Sequence, residues 1–183
     1  ALHSGYGGPE GAKSVSRFKD VAYGVGFKKD GKVMAVGGQN GTVQVFDLGS
    51  RSILRTFKSH TAAVRATDFS TDSLRLLTGS DDSSLHCHDL PTSTLLFSLP
   101  AHSDYIRSQS PHPTSPHVWA TSSYDRTVKI WDLRVAASRG SKNPQAGGLA
   151  RPVMAMQHCA GVEGVEMMAG GAMVAAAGGE EVR

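Results

Sequence analysis

The same pattern returns along this chain every 42 or 43 residues. Asp47, Asp89 and Asp132 each close a short β-rich run (42–47, 84–89 and 127–132), at spacings of 42 and 43. Asn40, Asp82 and Asp125 keep those spacings just upstream, and His60 and His102 again stand 42 apart. Three markers in one register mean copies of one supersecondary unit. A unit this small cannot bury its apolar face alone and must stack on its neighbours.

Within each unit the pieces are short strands joined by turn residues. Residues 21–27 precede Asp30-Gly31 and residues 33–37 precede Asn40-Gly41, dipeptides that supply the positive φ of tight hairpins. The second unit reads 64–69, 74–79, 85–89 and 95–99; the third reads 105–110, 118–122 and 128–132. Three or four short strands per 42 residues is the pattern of a propeller blade, and no segment is convincingly helical. The expected fold is an all-β propeller, incomplete, of about four blades: three nearly whole, with partial ones at the ends.

Residues 1–20 read as the tail of a preceding blade, and 21–58, 59–100 and 101–134 as the three blades. The register then breaks. His158 looks like the next loop histidine but lies 56 residues past His102, and the excess contains a Ser-Arg-Gly-Ser-Lys-Asn-Pro run and Gly147-Gly148. Residues 135–151 are therefore expected to be a flexible insertion. Residues 152–183 are expected to be a partial blade, and the chain reads as if cut from something longer.

The third unit carries the fullest side-chain set. His102, Thr121, Asp125 and Trp131 resemble the network of WD40 blades, and the run 123–132 is close to that consensus. The spacing suits a relay in which the turn Asp accepts from the loop His, the His bonds the Thr hydroxyl, and the Thr reaches the indole N–H. Every buried polar group then has a partner. In the second unit His60, Thr78 and Asp82 keep three members, with His88 in the Trp slot. The first unit has Val36, Asn40 and Phe46 there, with no histidine near Phe18, so its geometry must rest on packing and turns.

Chemistry beyond that network is sparse. His86 and His88 share one face of a strand, but Cys87 faces away and His112 and His117 flank prolines in a turn, so no metal site is expected. His102, Asp125 and Thr121 superficially resemble a hydrolytic triad. Their recurrence as His60, Asp82 and Thr78 makes them a blade feature, and no enzyme, cofactor or small-molecule substrate is expected. Gly37-Gly38 and Gly178-Gly179 are turn glycines, because no helix follows either to hold a phosphate.

Arg65, Arg107 and Arg126, with Tyr105 and Tyr124, are the candidate contacts to a partner or to RNA phosphates. The formal net charge of +3, from 19 Lys and Arg against 16 Asp and Glu, permits a nucleic-acid partner without establishing one. Cys87 and Cys159 form no CxxC pair, which favours a reducing compartment. No apolar run approaches a membrane span, and no signal peptide opens the chain.

Some stretches are more specific than the repeat. Ser16-Arg17-Phe18-Lys19-Asp20, Ala22-Tyr23, Phe27, Asp30-Gly31, Val43-Gln44 and Phe46-Asp47 resemble one family closely. The runs 102–107 and 123–129 do so too. This is the U3 small nucleolar RNA-associated protein 15 family, and the resemblance covers roughly residues 16–132 and faintly 157–179. It implies a non-catalytic WD40 scaffold of the small-subunit processome, acting in pre-18S rRNA processing and ribosome biogenesis in the nucleolus. The partners it implies are other WD40 propeller subunits, with pre-ribosomal RNA and the small nucleolar RNP contacted directly or through those subunits. A generic protein-interaction adaptor, such as a ubiquitin-ligase receptor or signalling scaffold, is the alternative. His88 in the Trp slot and the insertion at 135–151 depart from the family pattern.

Overall fold

A computed structural model describes residues 18–134, 151–168 and 170–179. The expected tail at 1–20 and the expected insertion at 135–151 fall almost wholly outside these residues. The rest is built from antiparallel strands. The first sheet contains β1 (Ala22–Phe27), β2 (Val33–Gly38), β3 (Thr42–Asp47) and β4 (Ser52–Lys58), in that order. The second contains β5 (Val64–Phe69), β6 (Arg75–Ser80), β7 (Ser84–Asp89) and β8 (Thr94–Pro100). The third contains β9 (Ile106–Pro111), β10 (Val118–Ser123), β11 (Thr127–Asp132) and β12 (Met154–Gln157), and the fourth pairs β13 (Val162–Met167) with β14 (Val174–Gly178).

Turn chemistry sets these registers. Gly31 and Gly41 take φ of 66° and 78° at the β1–β2 and β2–β3 corners, the left-handed region where a side chain is strained. The Asn40 carboxamide oxygen accepts from the Thr42 amide, and the Asp82 and Asp125 carboxylates do the same for Ser84 and Thr127. These Asx turns explain why the marker residues recur at each β2–β3-type corner.

Each innermost strand packs on the innermost strand of the next sheet, β1 on β5, β5 on β9 and β9 on β13, so the sheets follow one another in an unclosed arc. The β1–β5 approach is close enough that a Cβ at Gly26 would overlap the Thr67 carbonyl oxygen. The core lies between sheets rather than within them. Ala35, Val43, Val45 and Phe57 meet Val64 and Leu76 at the first joint; Leu77, Leu85, Cys87 and Leu99 meet Ile106 and Trp119 at the second. A third cluster joins Ala120 and Val128 to Val162, Val165 and Met167. Stacked sheets whose inner faces interlock this way are the propeller solution to burying half-apolar strands.

One boundary differs from expectation. Residues 154–157 were expected to open the fourth unit, yet β12 pairs with β11 and completes the third sheet, with Met154 opposite Ile130 and Gln157 opposite Thr127. The pairing leaves His158 two residues or fewer past an outer strand, the same place that His60 and His102 hold after β4 and β8.

Candidate functional site

At one end of the arc the His-bearing loops meet the Asp-bearing turns. In the third sheet His102 Nδ1 lies 2.9 Å from Asp125 Oδ2, and His102 Nε2 lies 2.8 Å from Thr121 Oγ1. The Trp131 indole N–H donates to the same hydroxyl at 2.8 Å. A carboxylate only accepts, so Nδ1 carries the proton and Nε2 accepts from Thr121. The Asp125 carboxylate also takes the Ser103 amide and the Thr127 hydroxyl, which hold it well below the usual carboxylate range despite its burial. Burial holds His102 down at about 4, so the ring is neutral.

The second sheet repeats this with a different floor. His60 reaches Asp82 at 2.9 Å and Thr78 at 2.8 Å. His86 stacks face to face on His60 with ring centres 3.8 Å apart, and His88 stacks on Phe57 at 4.2 Å and meets the Ser59 hydroxyl at 3.2 Å. Nδ1 of both His86 and His88 is buried without a partner among the described residues, and burial lowers their pKa values to about 3 and about 4. Cys87 points to the other face, into the joint with the third sheet, and burial pushes its thiol up to about 12. Among the described residues no group of three or more His, Cys, Asp or Glu has an arrangement that could hold a metal ion.

In the first sheet an aromatic pair stands in place of the relay. Phe18 meets Phe46 edge-on at 6.4 Å, the separation at which His102 meets Trp131. Asp20 accepts from the Asn40 amide at 2.9 Å and so closes the loop onto the turn. Nothing in the spacing of markers singled out Asp20; its role is visible only once the loop is folded.

The candidate contact residues gather at this same end. The Arg65 guanidinium lies 3.8 Å from the Tyr23 ring centre and is tied to Asp81 at 2.8–2.9 Å, a pairing that raises its pKa. Arg107 lies 4.8 Å from the Tyr124 ring centre, and its Nε is buried without a partner among the described residues. Tyr124 donates to Glu163 at 3.1 Å, and Tyr105, 48% exposed, stands 6.4 Å from it. Arg126 is exposed in the turn beside Asp125, at φ 64°. The structure thus joins Tyr105, Arg107 and Tyr124 in one cluster and sets Arg65 with Tyr23 in a second. Between the clusters, the inner strands line an open polar pocket of about 230 Å³ whose walls include Arg65, Asp68, Arg107 and Gln109. Burial, helped by the nearby Glu166, pushes the Asp68 carboxyl up to about 7.

Among the described residues Thr78 and Thr121 are the only hydroxyls bonded to a loop histidine's Nε2, and both are 0% exposed. Arginines stacked on tyrosines offer charge and flat apolar area to a partner, the chemistry of a recognition surface.

Comparison with known proteins gives a consistent picture. Residues 51–89 and 93–132 each match the WD domain, G-beta repeat. The U3 small nucleolar RNA-associated protein 15 homolog of Xenopus tropicalis is 37% identical over 174 residues, 95% of this chain and 31% of that protein. The U3 small nucleolar RNA-associated protein 15 of Schizosaccharomyces pombe is 41% identical over 99 residues, 54% of this chain and 20% of that protein. Protein SLOW WALKER 1 of Arabidopsis thaliana is 35% identical over 167 residues, 91% of this chain and 29% of that protein. The chain spans about a third of the length of the first of these relatives.

Proposed function

Because this chain belongs to the WD40-repeat family and has U3 small nucleolar RNA-associated protein 15 homologues as relatives, we propose that it is part of a processome scaffold. In this reading it is a non-catalytic subunit of the small-subunit processome, acts in pre-18S rRNA processing, and resides in the nucleolus. The observation that carries this is the 37% identity along 95% of the chain to a protein named for association with a small nucleolar RNA. Fold alone would not choose the partner.

His60, Thr78, Asp82, His102, Thr121, Asp125 and Trp131 are assigned a structural task, holding loops to turns so that the surface at that end of the arc is rigid. Arg65, Arg107, Arg126, Tyr105 and Tyr124 are assigned to that surface, where neighbouring propeller subunits or RNA phosphates dock. With a net charge of only +3, protein contacts hold the subunit in place and phosphate contacts are auxiliary.

Depletion in cells, followed by blotting for precursors of the small-subunit RNA, tests the reading. Loss of pre-18S processing and a nucleolar location of the tagged protein are expected. Nuclease treatment should leave it attached to its neighbouring propellers. Normal small-subunit RNA levels together with a cytoplasmic location would overturn the proposal.

A further inference from the structure

The two complete joints between four-stranded sheets are equivalent position by position, which makes one an internal control for the other. Val45 pairs with Arg55 in the first sheet, and Cys87 pairs with Phe97 in the second, each just before a register shift. Arg55 and Phe97 therefore occupy the same site on the outer strand. At the second joint Phe97 packs against the buried cluster, in which Leu133 is only 5% exposed. At the first joint Arg55 is exposed and its Nη1 turns aside to the Leu54 carbonyl at 2.8 Å. Leu90, the counterpart of Leu133, is left half-buried.

Smaller side chains deepen the difference. Ala35 stands where the second joint has Leu77, and Leu76 where it has Trp119. Where Arg55 turns aside lies a groove of about 310 Å³ between the first two sheets, lined by Val33, Val45 and Leu90 and by the exposed Leu54 and Leu74. Among the described residues Lys28 and Arg55 are the charged groups at its rim, and no carboxylate lines it. Lys28 is loosely paired with Asp30 at 3.6 Å, while no ion pair engages Arg55 among the described residues.

We propose that this groove receives a segment of a partner protein that presents one aromatic side chain flanked by carboxylates. The aromatic group takes the place that Phe97 fills at the second joint, and the carboxylates meet Arg55 and Lys28. The apolar floor supplies the driving force and the basic rim the orientation. The site lies away from the Tyr105, Arg107 and Tyr124 cluster and does not depend on which assembly the protein joins.

The test is fluorescence anisotropy on the full chain, with a fluorescein-labelled octapeptide, Gly-Glu-Glu-Phe-Leu-Glu-Glu-Gly, as probe. Saturable binding is expected, weakened at least about tenfold when the probe's Phe becomes Ala or its Glu residues become Lys, each a loss of about 1.4 kcal/mol. Arg55→Phe should fill the groove from within, weakening binding by a similar factor while leaving the melting temperature unchanged or higher. Leu74→Glu alters an exposed wall and gives a second test that does not depend on how Arg55→Phe folds. No saturation by about 1 mM probe would overturn the proposal, that being the weak limit of specific recognition. Equal binding by the Lys-flanked probe, or by both variants, would also overturn it.

Discussion

Thr121→Val separates the relay from ordinary packing, because it exchanges a hydroxyl for a methyl of nearly the same size at a 0% exposed position. The hydroxyl does two jobs: it accepts from the Trp131 indole at 2.8 Å and donates to His102 Nε2 at 2.8 Å. Both partners lie in the core, so removing it orphans one buried donor and one buried acceptor. At about 1–2 kcal/mol for each, the expected cost is about 2–4 kcal/mol. Thr78→Val is the built-in comparison. His88 stands in the Trp slot of the second sheet and bonds Ser59 instead, so the Thr78 hydroxyl serves chiefly His60 Nε2. Its loss should cost only about 1–2 kcal/mol. The assay is urea unfolding of the full chain at pH 7. Trp119 and Trp131 lie together in the third sheet and give the fluorescence signal. Equal destabilisation by the two substitutions, or less than about 0.5 kcal/mol for Thr121→Val, would refute the proton-by-proton account of the relay.

The remaining expectations use the same assay. Trp131→Ala should cost about 3–5 kcal/mol by opening a cavity in the second joint, and Asp125→Ala about 1–3 kcal/mol by leaving His102 without its acceptor. Surface-like effects at both would sink the repeat assignment. Gly26→Ala forces a methyl into the Thr67 carbonyl and should cost about 2–3 kcal/mol or more. Gly31→Ala, with open space around it and φ of 66°, should cost only about 1 kcal/mol, and the reverse order would contradict the β1–β5 approach.

Stability should also fall in mild acid. His86, His88 and His102 have folded pKa values of about 3, 4 and 4 against an ordinary 6.5, so stability is full above that value and lost as pH drops from there toward 4. Asp68, raised to about 7, works in the opposite sense and offsets one of the three protons. A urea midpoint at pH 5 that equals or exceeds the midpoint at pH 7 would refute this balance.

Much of the architecture was legible because turns and strands leave local marks. Asn40, Asp82 and Asp125 announce their corners through Asx turns, and the spacing of 42 or 43 residues carries the strand bounds of one sheet to the next. What was not legible depends on distance in sequence. The pairing of β12 with β11 spans residues 133–153, and four exposed residues, Met154 to Gln157, show no alternation to declare their sheet. The His60–His86 stack, the Phe18–Phe46 contact and the Asp20 cap each join parts of the chain 20 or more residues apart, and only the fold brings them together. The groove at the first joint was invisible for the same reason: it exists only as a difference between two packed interfaces.

The matched repeats, 51–89 and 93–132, each begin with the outer strand of one sheet and end with the third strand of the next. During synthesis this offset becomes a schedule. No sheet is complete when its own three inner strands have emerged; each waits for the opening strand of the following repeat. For the second sheet the wait is brief, from Asp89 to Thr94. For the third it runs from Asp132 to Met154, and at about 5–20 residues per second β11 presents an unpaired edge for roughly one to four seconds. A nascent chain therefore carries its most pairing-prone strand at that moment, and β11 is where a chaperone or a second nascent chain would first find it.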